Sequence, residues 1–190
     1  ISSNINNVAG KADVSIAGTT AGIPEELLEK ARAVKGVQHA AGTLTVVAPV
    51  KDSPGESLYV MGIDLLDDGF FRSYEGVDRD VGKLNDDLEF LNSTDRILVG
   101  ERFAKSKGLK TGSTFQLITK EGVKDFVVHG LLKETGPVTA FGGSVGVMFF
   151  ASAQEAFGRG RVFDRIDVKV DPTVGWEPVV SELRAGFGPA

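Results

Sequence analysis

Apolar and polar residues alternate along ADVSIAG, Ala12–Gly18, and a period of two predicts a strand. The period then changes. In GIPEELLEKARAVKG, Gly22–Gly36, the residues Leu27, Leu28, Ala31 and Val34 fall on one helical face. Pro24 suits the first helical turn, Glu25 and Glu26 sit where the helix dipole favours acid, and Gly36 stops the run. VQHAAGTLTVVAPV, Val37–Val50, reads as one long or broken strand, which completes a strand–helix–strand unit of the split α/β kind. KDSPGES, Lys51–Ser57, is a turn, and LYVMGID, Leu58–Asp64, is another strand. From Leu65 to Thr94 neither period holds, and acids mix with Phe70, Phe71, Tyr74 and Phe90, so the segment reads as partly helical or as a functional loop.

Clear patterning resumes at RILVGERFAKSKGLKTGSTFQLI, Arg96–Ile118: a strand, about two helical turns with Phe103 and Ala104 facing in, a glycine stop and a second strand. TKEG, Thr119–Gly122, is a hairpin turn into VKDFVVHGLLKE, where Phe126, Val128 and Gly130 share one face and Val127, His129 and Leu131 the other. Such strands predict a small β-rich lobe that curls on itself. A glycine-rich loop, Thr135–Gly146, precedes a strand and short helix in VMFFASAQEAFG. VFDRIDVKVD, Val162–Asp171, reads as one alternating strand, and Trp176, Val179, Val180 and Leu183 predict a closing amphipathic helix. The fold class expected is α+β. Residues 1–50 and 161–190 would form a split α/β lobe from both chain ends, with residues 51–160 inserted as a β-rich, small barrel-like lobe.

Composition narrows the chemistry. The 190 residues carry a formal charge of −5 and no long basic run, so the footprint of a nucleic-acid binder is missing. The hydrophobic share of 42% is enough to fill a core. With no cysteine, disulfides, thiol chemistry and cysteine-built zinc sites are ruled out. No run of 18 uncharged apolar residues appears, so nothing in the sequence reads as a membrane span. The chain starts at Ile1 without a signal-peptide pattern and ends at Ala190 just past an amphipathic run; both ends read as cut from a longer polypeptide.

The candidate chemistry is thin. GGSVG, Gly142–Gly146, matches the G-x-S-x-G nucleophile elbow, but neither histidine (His39, His129) follows Ser144, and a strand pattern, not a helix, comes next. The plain reading is a glycine loop. His129 lies inside an apolar strand, where a packed ring is the ordinary outcome, and His39 is similar. The acids cluster at Asp64, Asp67 and Asp68, at Asp78 and Asp80, and at Asp86, Asp87 and Glu89, yet no cluster has the pattern of a calcium loop, and a solvated acidic surface accounts for them. No phosphate-binding glycine loop is present. Lys105, Lys107, Lys110 and Lys120 read as a solvated face with a secondary reading as a lipid-headgroup contact. Val138 and Phe141 flank a proline–glycine loop, and Phe70 and Phe71 follow a strand end; these four are the candidates for a partner or substrate contact.

Five stretches in order resemble the MacB-like periplasmic core domain of ABC-transporter permeases, in the FtsX-like permease superfamily. ILVGERFAKSKGLKTGSTFQLI is similar to that family's strand, short alanine-bearing helix and glycine-punctuated second strand. YVMGID, FVVHGLLKETG, GVMFFASAQEAFG and VFDRIDVKVDP resemble further family segments, so the likeness spans roughly Ala12 to Leu183. Ser113 departs from the family, where an acid is common, and Leu65–Thr94 fits least well. The resemblance implies an extracytoplasmic domain between the first and second spans of a permease, with the lobe built from both ends nearest the membrane. It implies a cytoplasmic ATPase subunit or domain working through the missing spans and a second permease copy as partners. It also implies contact with a lipid, lipoprotein or peptide substrate or with a periplasmic partner protein. It brings no catalytic, cofactor or metal residue. Two rivals stay open: a free-standing binding module with a pocket between the lobes, and a hydrolase using Ser144 or the clustered carboxylates.

Overall fold

A computed structural model of the chain describes residues 12–64, 89–133, 139 and 142–187. The elements in order are β1 (Val14–Ala17), β2 (Ile23–Pro24), α1 (Glu26–Ala33), β3 (Val37–Pro49), β4 (Ser57–Ile63), β5 (Arg96–Gly100), α2 (Glu101–Ser106), β6 (Thr114–Thr119), β7 (Gly122–Leu132), β8 (Val145–Phe149), α3 (Phe150–Ala156), β9 (Val162–Phe163), β10 (Arg165–Val170) and α4 (Trp176–Phe187). The hydrogen-bonded order is β1-β10-β3-β4-β8-β5-β7-β6, a mixed sheet, with β2 and β9 as a separate pair. The class is α+β.

The chain divides into two compact units, residues 1–44 with 161–190 and residues 45–160. In the first, β1 pairs antiparallel with β10 from Val14↔Val168 to Ala17↔Arg165, and β10 pairs antiparallel with the start of β3 from Arg165↔Thr43. Leu28 and Ala31 of α1 and Val179 and Leu183 of α4 are buried, as the helical period requires. Ile16, Ala40, Leu44, Phe163, Ile166 and Val168 complete this core. Gly36 has φ +92°, a left-handed conformation that ends the helix–strand turn at low steric cost.

Three local expectations need correction here. Pro24 lies in β2, opposite Val162, and the helix begins two residues later. The stretch Val162–Asp171 is two strands: residues 162–163 pair with β2, and residues 165–170 pair with β1 and β3. A change of partner at Asp164 divides it, which periodicity cannot register. Trp176 opens α4 at 52% exposure and is not a core residue.

The second unit is built on two parallel pairs, β4 with β8 and β5 with β7, joined by the antiparallel pair β5–β8. The β6–β7 hairpin adds an antiparallel edge from Thr114↔Val127 to Thr119↔Gly122. Phe90, Leu98, Leu132, Val145 and Val147 form one buried cluster, and Phe126 stacks on Phe157 with centroids 5.5 Å apart. Phe103 and Ala104 of α2 are buried, as their spacing predicts. The strands do not close into a barrel among the described residues. A single bridge, Val50↔Leu117, with the Lys51 N–H donating to the Gln116 carbonyl at 3.0 Å, draws the β6 edge to the residues just after β3.

Candidate functional site

The four predicted contact residues, Phe70, Phe71, Val138 and Phe141, lie outside the described residues, as do Asp67, Asp68, Asp78, Asp80, Asp86 and Asp87. Of the acids that are described, Glu89 forms an ion pair with Arg96. No group of three or more potential metal ligands occurs among the described residues. Ser144 leads directly into β8, and its carbonyl accepts the Tyr59 N–H at 2.9 Å, so it joins a strand ladder and does not stand on a strand-to-helix turn. The His129 ring stacks on Phe90 with centroids 4.6 Å apart and planes 14° from parallel, in keeping with a packed histidine. Lys107 corrects the reading of a solvated lysine face: its Nζ lies 2.5 Å from a Glu56 carboxylate oxygen and 2.8 Å from Ser53 Oγ, which ties α2 to the turn after β3.

A site that the sequence reading did not single out lies in the second unit, above the Val50↔Leu117 bridge. Thr45, Val46, Val47, Ile118, Thr119, Lys120, Phe157 and Arg159 line a groove of about 390 Å³. Its origin is local. Backbone groups on a strand point alternately to its two edges. The Lys51 N–H reaches Gln116 on the β6 side and the Val50 N–H reaches Glu56 on the other, so Pro49 and Val47 direct their backbone toward β6. Pro49 has no N–H to give. The ladder therefore stops after one bridge, and the two strand edges part to leave the groove. On the other wall, Leu117 and Thr119 pair with β7, which turns the backbone of Ile118 toward β3 at the bridge, and Lys120 stands in the hairpin turn that follows.

The outer rim of this seam is apolar. Val47 is 62% exposed, Ile118 44%, and Val123, which stands opposite Ile118 in the β6–β7 register, 48%. The charged lining residues are both cations. Arg159 donates from Nη1 to the Thr45 carbonyl at 3.1 Å, and Lys120 has no ion-pair partner among the described residues. The sequence carried two signs of this site. The neighbours Leu117 and Ile118 are both apolar on a strand, so one must face outward, and Pro49 ends a long strand without a turn residue.

No family model and no curated protein matches the chain. Solved structures do resemble it. The extracellular domain of the noncanonic ABC-type transporter YknZ from Gram-positive bacteria is 17% identical, with 89% of this chain and 84% of that chain covered at a TM-score of 0.62. The periplasmic region of MacB from Actinobacillus actinomycetemcomitans is 13% identical, with 94% and 85% covered at a TM-score of 0.59. At these identities the likeness is one of fold. The chain has the MacB-like fold of the extracytoplasmic domains of ABC-transporter permeases, as its motif order led us to expect.

Proposed function

We propose that the chain is the extracytoplasmic domain of an ABC-transporter permease subunit, that it relays ATP-driven movement of membrane spans, and that it meets a substrate or partner protein. The observation that carries this reading is the return of both chain ends to one unit, where β1 and β10 are hydrogen-bonded neighbours and α1 lies against α4. Spans attached at the two ends would both pull on that unit, and β3 and the Gly160–Arg161 link lead from it into residues 45–160. The partners are a cytoplasmic ATPase and a second permease copy. The likeness to permease domains, and to no enzyme among the structures described above, supports this over hydrolysis at Ser144.

The test uses the full permease that carries this domain. A flexible insertion of roughly ten residues between Gly160 and Arg161 should leave ATP hydrolysis running while transport falls. Transport at the unmodified rate would overturn the relay. We also propose Phe70, Phe71, Val138 and Phe141 as contact residues. Their truncation should lower transport with thermal stability unchanged; an equal loss of both would assign them to the core.

A further inference from the structure

We propose that the tip joining β10 to α4 rests on a zwitterionic lipid surface, with the Trp176 indole and the Val174 side chain in the headgroup layer. This names a contact for the extracytoplasmic domain proposed above and rests on that reading, because a chain attached to membrane spans is what holds the tip beside lipid.

Strand direction fixes which end of the first unit the tip occupies. β1 and β3 both run antiparallel to β10, so the start of β1 at Val14, the start of β3 at Val37 and the end of β10 at Val170 share one end. The chain passes into residues 45–160 from the other end of these strands, after Leu44 and before Arg161. A span attached ahead of β1 therefore approaches the end that carries the tip, where Asp13 already holds the Val170 N–H at 2.8 Å. The exposed apolar surface of this unit gathers at the same place. Among its described residues the exposed large apolar side chains are Val174 and Trp176, at 36% and 52%, and Pro172 and Pro178 beside them are exposed as well. A lone exposed valine is ordinary. Tryptophan, with an apolar ring and a single N–H donor, is the side chain that favours a headgroup layer. The tip is also ordered in advance. Asp171 Oδ1 accepts the Thr173 N–H at 2.8 Å and the Thr173 hydroxyl at 2.7 Å, and the Asp171 carbonyl accepts the N–H of Val174 at 3.0 Å and of Gly175 at 3.2 Å. The Asp171 N–H donates to the Gly36 carbonyl at 2.8 Å, and a Cβ on Gly36 would come within 2.8 Å of Val174 Cγ1, so the valine is seated on the turn between α1 and β3. Little freedom is left for a surface to remove. Charge then selects the lipid. Lys35 is exposed on that turn, Glu177 follows the indole, Asp171 is tied to Thr173, and Asp13 pairs with Lys169 at 3.1 Å. Both signs are present without the basic cluster that reads anionic lipid, so zwitterionic headgroups suit the tip.

Trp176 is the only tryptophan of the chain, so its fluorescence reports this position alone. The 190-residue chain is held on phosphatidylcholine vesicles through an N-terminal histidine tag and a nickel-chelating lipid, as a preceding span would hold it. The tether raises the local concentration of lipid, so a contact too weak to bind free vesicles is still read. Trp176 emission should shift to the blue, and phosphatidylcholine brominated on its acyl chains should quench it about twofold or more relative to unbrominated vesicles. Added salt should leave the quenching in place, because the indole and the valine carry the contact. A chain with Trp176→Phe and Val123→Trp places its indole at an exposed position of β7 in the second unit and should show neither change. An unshifted and unquenched Trp176, or equal quenching of the Val123→Trp chain, would overturn the proposal. So would quenching that needs anionic lipid and vanishes in salt, because charge would then make the contact. A blue shift that grows with protein concentration in the absence of vesicles would assign the tip to a second copy of this chain and overturn it too. None of these results bears on whether an insertion at Gly160 uncouples transport, so the two readings fail separately.

Discussion

The Phe163 ring lies against the backbone of Gly42, so that a Cβ placed on residue 42 would come within 2.6 Å of three ring atoms. Gly42 belongs to the part of β3 that pairs with β10, where it stands opposite Ile166, and Phe163 is fully buried. The missing side chain is therefore the space the ring occupies. Gly42→Ala should destabilise the chain by about 1–3 kcal/mol through overpacking. Urea denaturation checks it. In the Phe163→Leu background the added cost of Gly42→Ala should shrink, and equal costs in both backgrounds would refute the steric reading.

Asp13 couples the start of the chain to its end. Its carboxylate accepts the Val170 N–H at 2.8 Å and lies 3.1 Å from Lys169 Nζ. The backbone bond from Val170 first, and then the Lys169 ammonium, hold this carboxyl below its usual range. A carboxyl lowered in the fold stabilises fully above the unfolded value near 3.9, and the gain is lost as pH falls through the folded value. Asp13→Asn should therefore lower stability at neutral pH by less than about 1 kcal/mol, since the pair is solvent-screened. The gap from the unmodified chain should close below about pH 4. Thermal melts across pH measure this, and a gap that widened in acid would contradict it.

Phe90 carries two duties, filling the cluster with Leu98, Leu132, Val145 and Val147 and stacking on His129. Phe90→Ala should cost about 3–5 kcal/mol, the usual range for removing a buried ring. His129→Leu keeps the volume against Phe90 and should cost far less. Guanidinium unfolding of the two variants ranks them, and a larger loss in His129→Leu would point to a role for the imidazole beyond packing.

Lys107 is the lysine that does not belong to a free surface. Its side chain is 20% exposed, while its partner Glu56 is 55% exposed, so solvent screens much of the attraction. Lys107→Met, which keeps the stem and drops the ammonium, should cost about 1 kcal/mol or less. Added salt should narrow the difference between the two proteins. Denaturation at low and high ionic strength tests this, and an unchanged difference in high salt would mean that the hydrogen bond to Ser53 Oγ carries the interaction.

The strands and helices with a strict local period were legible before any coordinate. Leu28 with Ala31, Phe103 with Ala104, and Val179 with Leu183 are buried where spacing put them. So was the face division of β7, with Phe126, Val128 and Gly130 buried and their neighbours half-buried. The groove was not legible. Val47 and Ile118 are distant in sequence, and an outward apolar residue on one strand looks like noise until the other strand arrives beside it.

Local chemistry thus determined the elements, their inward faces and the order of motifs that marks the fold, because periodicity and turn residues act within a few positions of the chain. Tertiary structure alone decided which edges pair, where Val162–Asp171 changes partner, and that Pro49 ends the ladder to leave a groove. The physical reason is range: a hydrogen bond between strands joins residues whose separation along the chain no local pattern encodes.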